Sequence, residues 1–467
     1  MTDTVITHAP GEPKLLLGSY DIADLGYTDD EYFVSGSATS YAPAGEHGAD
    51  GRWDAAPSVV TDYTTRIVVL KPSDATKFNG TVIVEWLNVS GGIDAPAVWF
   101  MAHRELIREG YAYVAVSAQQ VGVEGGASLG FDMSLKKQDP ERYWRLSHPA
   151  DAFSYDIFSQ VGRLIREPAG TDVLGGLKPE FVVAVGESQS AMFLTTYVNA
   201  VDPLVGRYDG FLIHSRFGPA APLDGGSIFA EPAGSAPQAV KFRPDLRVPL
   251  LTVLTETDVV GGVRPGYHLA RQPDTDLLRA WEIPGSAHAD NYTIQVARID
   301  TGFAPLEELA AAYAPTNTLM GQQLPHYINF GPQHHYVLQA AIAGLHSWIR
   351  TGAAPSKAAP MELDEGDPPR LVLDEKGIAT GGVRTPWVDV PIARTSGVGS
   401  GESPLSHLFG SGEPFDAATV TRLYPGGAAE YLDRFTESLD AATESGFLLP
   451  ADRREILDLA AATYPRD

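Results

Sequence analysis

Along this chain apolar residues recur in short runs: EYFVSGSATSY, DYTTRIVVL, GTVIVEWLN, GYAYVAVSA, EFVVAVG, YDGFLIHS, VPLLTVLT and RAWEIPG. Several are almost wholly apolar, which predicts strands covered on both faces. Between them, residues 97–110 (AVWFMAHRELIREG), 151–167 (DAFSYDIFSQVGRLIRE) and 190–201 (SAMFLTTYVNAV) predict helices. Strands alternating with helices predict an α/β fold with a largely parallel sheet. The first strands follow one another without helices between them, which predicts an antiparallel start.

Two stretches break this pattern. Residues 216–247 dissolve into a run rich in Gly, Pro and Ala, and a loop of that length inside a compact domain is expected to be functional or disordered, a cap over a pocket being the functional version. A second irregular insertion is expected from Asn291 to about Gln333. The helix HHYVLQAAIAGLHSWIRTG (334–352) follows, then the linker-like APSKAAPMELDEGDPP, short strands and turns over 370–395, and two amphipathic helices near 426–446 and 450–463. The expected organisation is a core over residues 1–360 with lid-like insertions near 216–248 and 291–333, and a strand and helix extension over 361–467 packed on that core.

With 467 residues, 44% hydrophobic and 20% charged, the chain has ample material for a large core. A net charge of -25 opposes phosphate backbones and anionic lipid surfaces, so neither nucleic acid nor membrane is an expected partner. The absence of cysteine removes disulfides, cysteine nucleophiles and zinc-thiolate sites together. The start MTDTVITHAPGEPK has neither a basic region nor an apolar run, and a cytoplasmic location is expected.

The run FVVAVGESQSAMFLTTYVNA (181–200) carries the first candidate chemistry. A strand enters Gly186-Glu187-Ser188-Gln189-Ser190 and a helix leaves it, the G-x-S-x-G layout of a nucleophile elbow. Small residues around the serine permit a sharp turn that lifts its hydroxyl above the strand end and leaves the next amide at the helix N-terminus. Ser190 replaces the last glycine and is small enough for close packing of helix on strand.

A serine hydroxyl is a weak nucleophile until a base takes its proton. In this layout an acid follows on a later strand and a histidine after the last one. VPLLTVLTETDVV supplies Asp258, three residues past Thr255, and WEIPGSAHADNY supplies His288. His288 would be the base, and Asp258 would fix its tautomer and stabilise the imidazolium. Glu256, two residues earlier, is a rival acid, with the spacing from the strand favouring Asp258. For an oxyanion hole, one amide would come from Gln189 and a second from Asn88-Val89-Ser90-Gly91-Gly92, where Val89 is preferred and Ser90 is next. Taken singly, each of these residues also suits a plainer role in a turn or loop.

Other candidates are weaker. Gly36-Ser37 and Ser400-Gly401-Glu402-Ser403 lack the strand-to-helix setting. His334 and His335, near His326, are adjacent at a helix start and point to different faces without an acidic pair, so no metal site is expected. Asp290 suits a turn or capping role. Phe217, Phe229, Tyr292 and Phe330 could line a pocket, although core packing is the commoner fate of such residues.

VEWLNVSGG, VGESQSA, TETDV, GSAHADNY and INFGPQHHYVLQAAI, continued by GGVRTPWVDVPIA, LFGSGEPFD and LYP, resemble an α/β-hydrolase domain family of bacterial serine esterase-like proteins. The resemblance spans nearly the whole chain. It implies the α/β-hydrolase fold, a mostly parallel central sheet flanked by helices, with lid-like insertions and a C-terminal extension. It also implies hydrolysis of a small-molecule carboxylic ester through an acyl-enzyme on Ser188, with Asp258 and His288 as partners and no cofactor. A lactonase, thioesterase or acyltransferase with the same triad stays open, because the pocket and not the triad separates them. A non-catalytic binding protein of this fold would have no physical need of Ser188, Asp258 and His288 together. Epoxide hydrolases and haloalkane dehalogenases place an aspartate at the elbow, so Ser188 argues against both.

Overall fold

The computed structural model describes residues 4–126, 128, 130–168, 170–228, 237–399 and 404–465. The chain divides into two compact units: Met1–Trp99, Glu105–Leu250 and Leu269–Pro273 form the first, and Phe100–Arg104, Leu251–His268 and Asp274–Asp467 the second.

The first unit holds strands β1 (Val5–His8), β2 (Tyr27–Pro43), β3 (Ala55–Pro72), β4 (Thr81–Trp86), β5 (Ala112–Val116), β6 (Phe181–Glu187) and β7 (Gly210–His214), in the spatial order β1-β2-β3-β5-β4-β6-β7. β1, β2 and β3 pair antiparallel, and β3 pairs β5 antiparallel. The β5–β4, β4–β6 and β6–β7 pairs are parallel. The antiparallel start and the parallel continuation are those that the apolar runs predict. Parallel neighbours need crossovers, and helices α1 (Ala97–Arg108), α2 (Ser154–Arg166) and α3 (Gln189–Thr196) lie in those connections. β4, β5 and β7 are buried at every position, and β6 at all but Phe181.

What positions the turns at the strand ends is the packing behind them. Trp86 at the end of β4 lies 4.9 Å, ring centre to ring centre, from Phe158 of α2 and 5.3 Å from Phe193 of α3. Tyr155 of α2 closes the group at 5.7 Å from both Trp86 and Phe193. These rings join β4 to the helix that follows Ser188, and truncating one such buried ring typically costs about 3–5 kcal/mol.

The second unit holds β8 (Leu250–Thr255) from Leu251 onward, α4 (Glu256–Val260), the strand β9 (Leu278–Ile283) adjacent to β8, α5 (Leu306–Ala312), α6 (Gln333–Thr351), an antiparallel pair β10 (Ala393–Ser396) and β11 (Ser411–Pro414), and the helices α7 (Gly427–Glu444) and α8 (Arg453–Thr463). The stretch from Asn291 to Gln333 is more ordered than its irregular composition suggests, since it contains α5 and a π-helical turn at Tyr292–Val296. LEELAAA is too short for a helical period to stand out. The residues from 361 onward are fixed to β9 by hydrogen bonds from Met361 N–H to Glu282 Oε2 (2.8 Å) and from Val383 N–H to Glu282 O (2.7 Å), and by Phe447 edge-on to Trp281 at 5.0 Å.

In the other insertion, residues 216–228 and 237–248 carry no helix or strand, and Val240 N–H bonds Gly218 O at 2.8 Å. Phe217 and Tyr292 are core residues, 3% and 1% exposed, while Phe330 is half-buried. Phe229 and Ser400-Gly401-Glu402-Ser403 lie outside the described residues. Among those that are described, no helix is long and apolar enough to cross a membrane.

Candidate active site

Ser188 has φ 57° and ψ -116°, a left-handed conformation that a side chain makes costly. It follows β6 directly and opens α3, and its hydroxyl is not used to cap that helix. Its N–H donates to His214 O at 3.0 Å, so the turn hangs from the end of β7. Gly186 is required by space: a Cβ there would come within 2.9 Å of Leu194 Cδ1 and 3.1 Å of Ser190 Cβ. Ser190 itself is fully buried, consistent with a position where only a small residue fits between helix and strand.

The loop after β4 is held against this turn. Asn88 Nδ2–H donates to Glu187 Oε2 at 2.9 Å and to Glu187 O at 3.1 Å. Asn88 Oδ1 accepts from Ser90 N–H at 2.8 Å, which commits that amide to a local turn. The Val89 amide instead reaches the Gln189 side-chain carbonyl at 3.4 Å. Val89 and Gln189 are thus neighbours in space, and both candidate amides of this loop have acceptors, Ser90 by the shorter bond within the loop and Val89 by the longer one to the Gln189 side chain. The far end of the loop is anchored by Asp94, whose carboxylate accepts from Arg66 at 2.8 Å inside the protein. The Asn88 side chain is a positioning group that the motif alone does not reveal, because a polar residue in a Gly-rich turn carries no mark of its partner.

Beneath this loop Glu85 of β4 is fully buried. It accepts from Val98 N–H (2.8 Å) and Trp99 N–H (3.1 Å) at the start of α1, and from Tyr113 O–H (2.7 Å). Burial outweighs these bonds and pushes its carboxyl up to about 8, with the nearby Glu187 adding to the rise. Because the folded value lies above the ordinary 4.5, the stabilising neutral form is fully present below that value and is lost as the pH climbs through about 8. Urea unfolding between about pH 5 and pH 9 should therefore show a fall in stability that Glu85→Gln lacks. Parallel pH curves for the two proteins would show that Glu85 is already ionised in the fold.

In the second unit, His288 Nδ1 lies 2.6 Å from Asp258 Oδ1. A carboxylate can only accept, so Nδ1 carries the proton and Nε2 is the basic nitrogen of the neutral ring. Asp258 is itself held by a capping box: its Oδ2 accepts from Thr255 N–H at 2.7 Å and Thr255 O–H at 2.8 Å, and the Thr255 hydroxyl accepts from Asp258 N–H. The Thr-x-x-Asp spacing that makes this possible is legible in TETD.

Glu256 points elsewhere. Its Oε1 accepts from Gly285 N–H at 2.6 Å, and its Oε2 accepts from Ser396 O–H at 2.6 Å and Gly397 N–H at 2.7 Å. Burial raises its carboxyl, and the bonds from Ser396, Gly285 and Gly397 pull the other way.

His334 and His335 are each engaged with neighbouring side chains. His334 Nδ1 faces Asp290 Oδ2 at 3.3 Å, and Asp290 also caps the turn at Thr293 N–H, the capping role expected of it. His335 is stacked on Tyr292 at 3.7 Å and bonded to Tyr313 Oη at 2.8 Å, and burial holds its pKa well below the ordinary range.

No curated protein matches this sequence. Among solved structures, an esterase of Rhizomucor miehei is similar at 11% identity, covering 68% of this chain and 85% of that one with a TM-score of 0.29. A Pyrococcus furiosus esterase is similar at 11% identity, covering 58% and 86% with a TM-score of 0.29, and the glucuronoyl esterase of Solibacter usitatus at 9% identity, covering 55% and 69% with a TM-score of 0.28. The model of the family described as "Alpha/beta hydrolase domain" matches residues 3–458. Nearly the whole length is accounted for by that match, and the chain belongs to the alpha/beta hydrolase domain family.

Proposed function

We infer that this hydrolase cleaves carboxylic esters through an acyl-enzyme on Ser188. The observation that carries the reading is the left-handed backbone of Ser188 between β6 and α3, since a strained non-glycine residue at a strand end persists where function requires it. In this reading His288 Nε2 removes the Ser188 proton as the hydroxyl oxygen attacks the ester carbonyl, and later delivers it to the departing alkoxide. Asp258 holds the ring in the required tautomer and stabilises the imidazolium. The amides of Gln189 and Val89 receive the negative charge that develops on the carbonyl oxygen. The Gln189 side-chain carbonyl, 3.4 Å from the Val89 N–H, stands in for that oxygen and gives way to it. Water then attacks the acyl-enzyme with His288 again as base. A small-molecule ester is the substrate, and the chemistry asks for no cofactor.

The test is hydrolysis of a short-chain chromogenic ester, with a fluorophosphonate probe followed by mass spectrometry. Turnover by the wild type and probe adduct on Ser188, both lost in Ser188→Ala, are the expected results. An unmodified Ser188 together with no cleavage of ester or thioester would refute the reading.

A further inference from the structure

The loop that carries His288, from Gly285 to Asn291, has no regular structure of its own, so its shape is set by outside partners. Glu256 takes the Gly285 N–H and gives its own N–H to Ser286 O at 3.2 Å. Thr257 Oγ1 accepts from His288 N–H at 3.1 Å. Asn329 and Gln333 side-chain amides donate to Gly285 O at 2.9 Å and 2.8 Å, and Ala289 N–H donates to Leu408 O at 2.9 Å.

The same groups are tied to one remote turn. Ser396 O–H and Gly397 N–H both donate to Glu256, Thr257 O–H donates to Gly397 O at 2.7 Å, and Asn329 Nδ2–H donates to Ser396 O at 3.0 Å. The approach is close enough to demand glycine. A Cβ on Gly397 would sit 2.5 Å from both Ser286 O and Thr257 N, and 2.6 Å from Glu256 Cβ. A Cβ on Gly410 would sit 2.8 Å from Ala287 Cβ.

We propose that Glu256 and the turn Ser396-Gly397 form a clamp that positions His288, with Glu256 as a positioning residue acting through the backbone of Gly285 and Ser286. The proposal rests on the reading of His288 as the base. Three donors converge on Glu256 from two segments, and two carboxylate oxygens can accept from all three. A glutamine would turn an NH2 group toward one of them. The segment beyond residue 390 thereby becomes part of the machinery around the base, and a misplacement of the ring by about 1 Å costs on the order of 100-fold in rate.

The test uses the full chain labelled with 15N-histidine. The low-field Nδ1–H resonance of His288, identified by its loss in His288→Ala, reports its pairing with Asp258 whether or not the protein turns over. In Glu256→Gln this resonance should shift or broaden, and kcat on the chromogenic ester should fall roughly 10- to 100-fold with KM changed by less than about twofold. Ser396→Ala, which leaves the carboxylate and removes one donor, should move both readouts the same way by less, and Glu256→Asp should not restore them because the shorter chain cannot span both segments. An unchanged resonance and kcat in folded Ser396→Ala and Glu256→Gln would overturn the clamp. If Glu256→Gln fails to fold, Ser396→Ala and Gly397→Ala decide between the same two outcomes. Failure of the esterase reading would instead show as a wild type that neither cleaves ester nor takes up the probe, and the His288 resonance would still support or overturn the clamp.

Discussion

Alanine at His288 is expected to lower kcat by about as much as alanine at Ser188, on the order of 10^6-fold, and combining the two should cost little more. The reason is that in the proposed mechanism the two groups perform one step: without a base the hydroxyl remains a weak nucleophile, and without the hydroxyl the base has nothing to activate. Residual turnover of about 10^3 to 10^4 over water should survive in both variants, supplied in the proposed mechanism by the amides of Gln189 and Val89 and by binding. The measurement is kcat for both single variants and the double variant on one ester. Near-normal activity in His288→Ala would remove His288 from the mechanism, and fully multiplicative losses would show that the two residues act in separate steps.

Asp258→Asn should reduce kcat by roughly 10^4-fold at neutral pH. The asparagine keeps the shape of the side chain. However, an amide NH2 turned toward His288 Nδ1 would favour the other tautomer, with the proton on Nε2 and no basic nitrogen left for the proton transfer proposed above. The hydrogen bonds from Thr255 to Asp258 Oδ2 leave the amide nitrogen of an asparagine only the Oδ1 side, toward His288. Glu256→Gln should cost far less, because Glu256 meets Gly285, Ser396 and Gly397. Side-by-side pH–rate profiles would measure this, and a larger loss in the Glu256 variant would reverse the two assignments.

Much of this protein is legible in its residue pattern. β4 to β8 coincide with runs that are mostly apolar, because strands covered on both faces bury nearly every position. The elbow is legible for a local reason too: Gly186 and Ser190 must be small, and both lie within five residues of a strand end and a helix start. The order of Ser188, Asp258 and His288 along the chain, each just past a strand, follows from the same topology.

Tertiary structure decided what depends on partners far along the chain. Asp258 and Glu256 stand two residues apart on one short helix, and at about 100° per residue they face nearly opposite ways. Which of them meets His288 depends on where a loop thirty residues later is held, and composition carries no record of that. As letters Val89 is only narrowly preferred over Ser90 as a donor, and it is the folded loop that sets the Asn88 side chain against the Ser90 amide. The turn at Ser396-Gly397 is the extreme case, since it reaches Glu256 across 140 and 141 positions and does so partly through a backbone N–H. Every residue except proline offers that group, so the sequence by itself determined the strands, the elbow and the candidate chemistry, while only the folded chain decided which backbone groups hold the histidine loop in place.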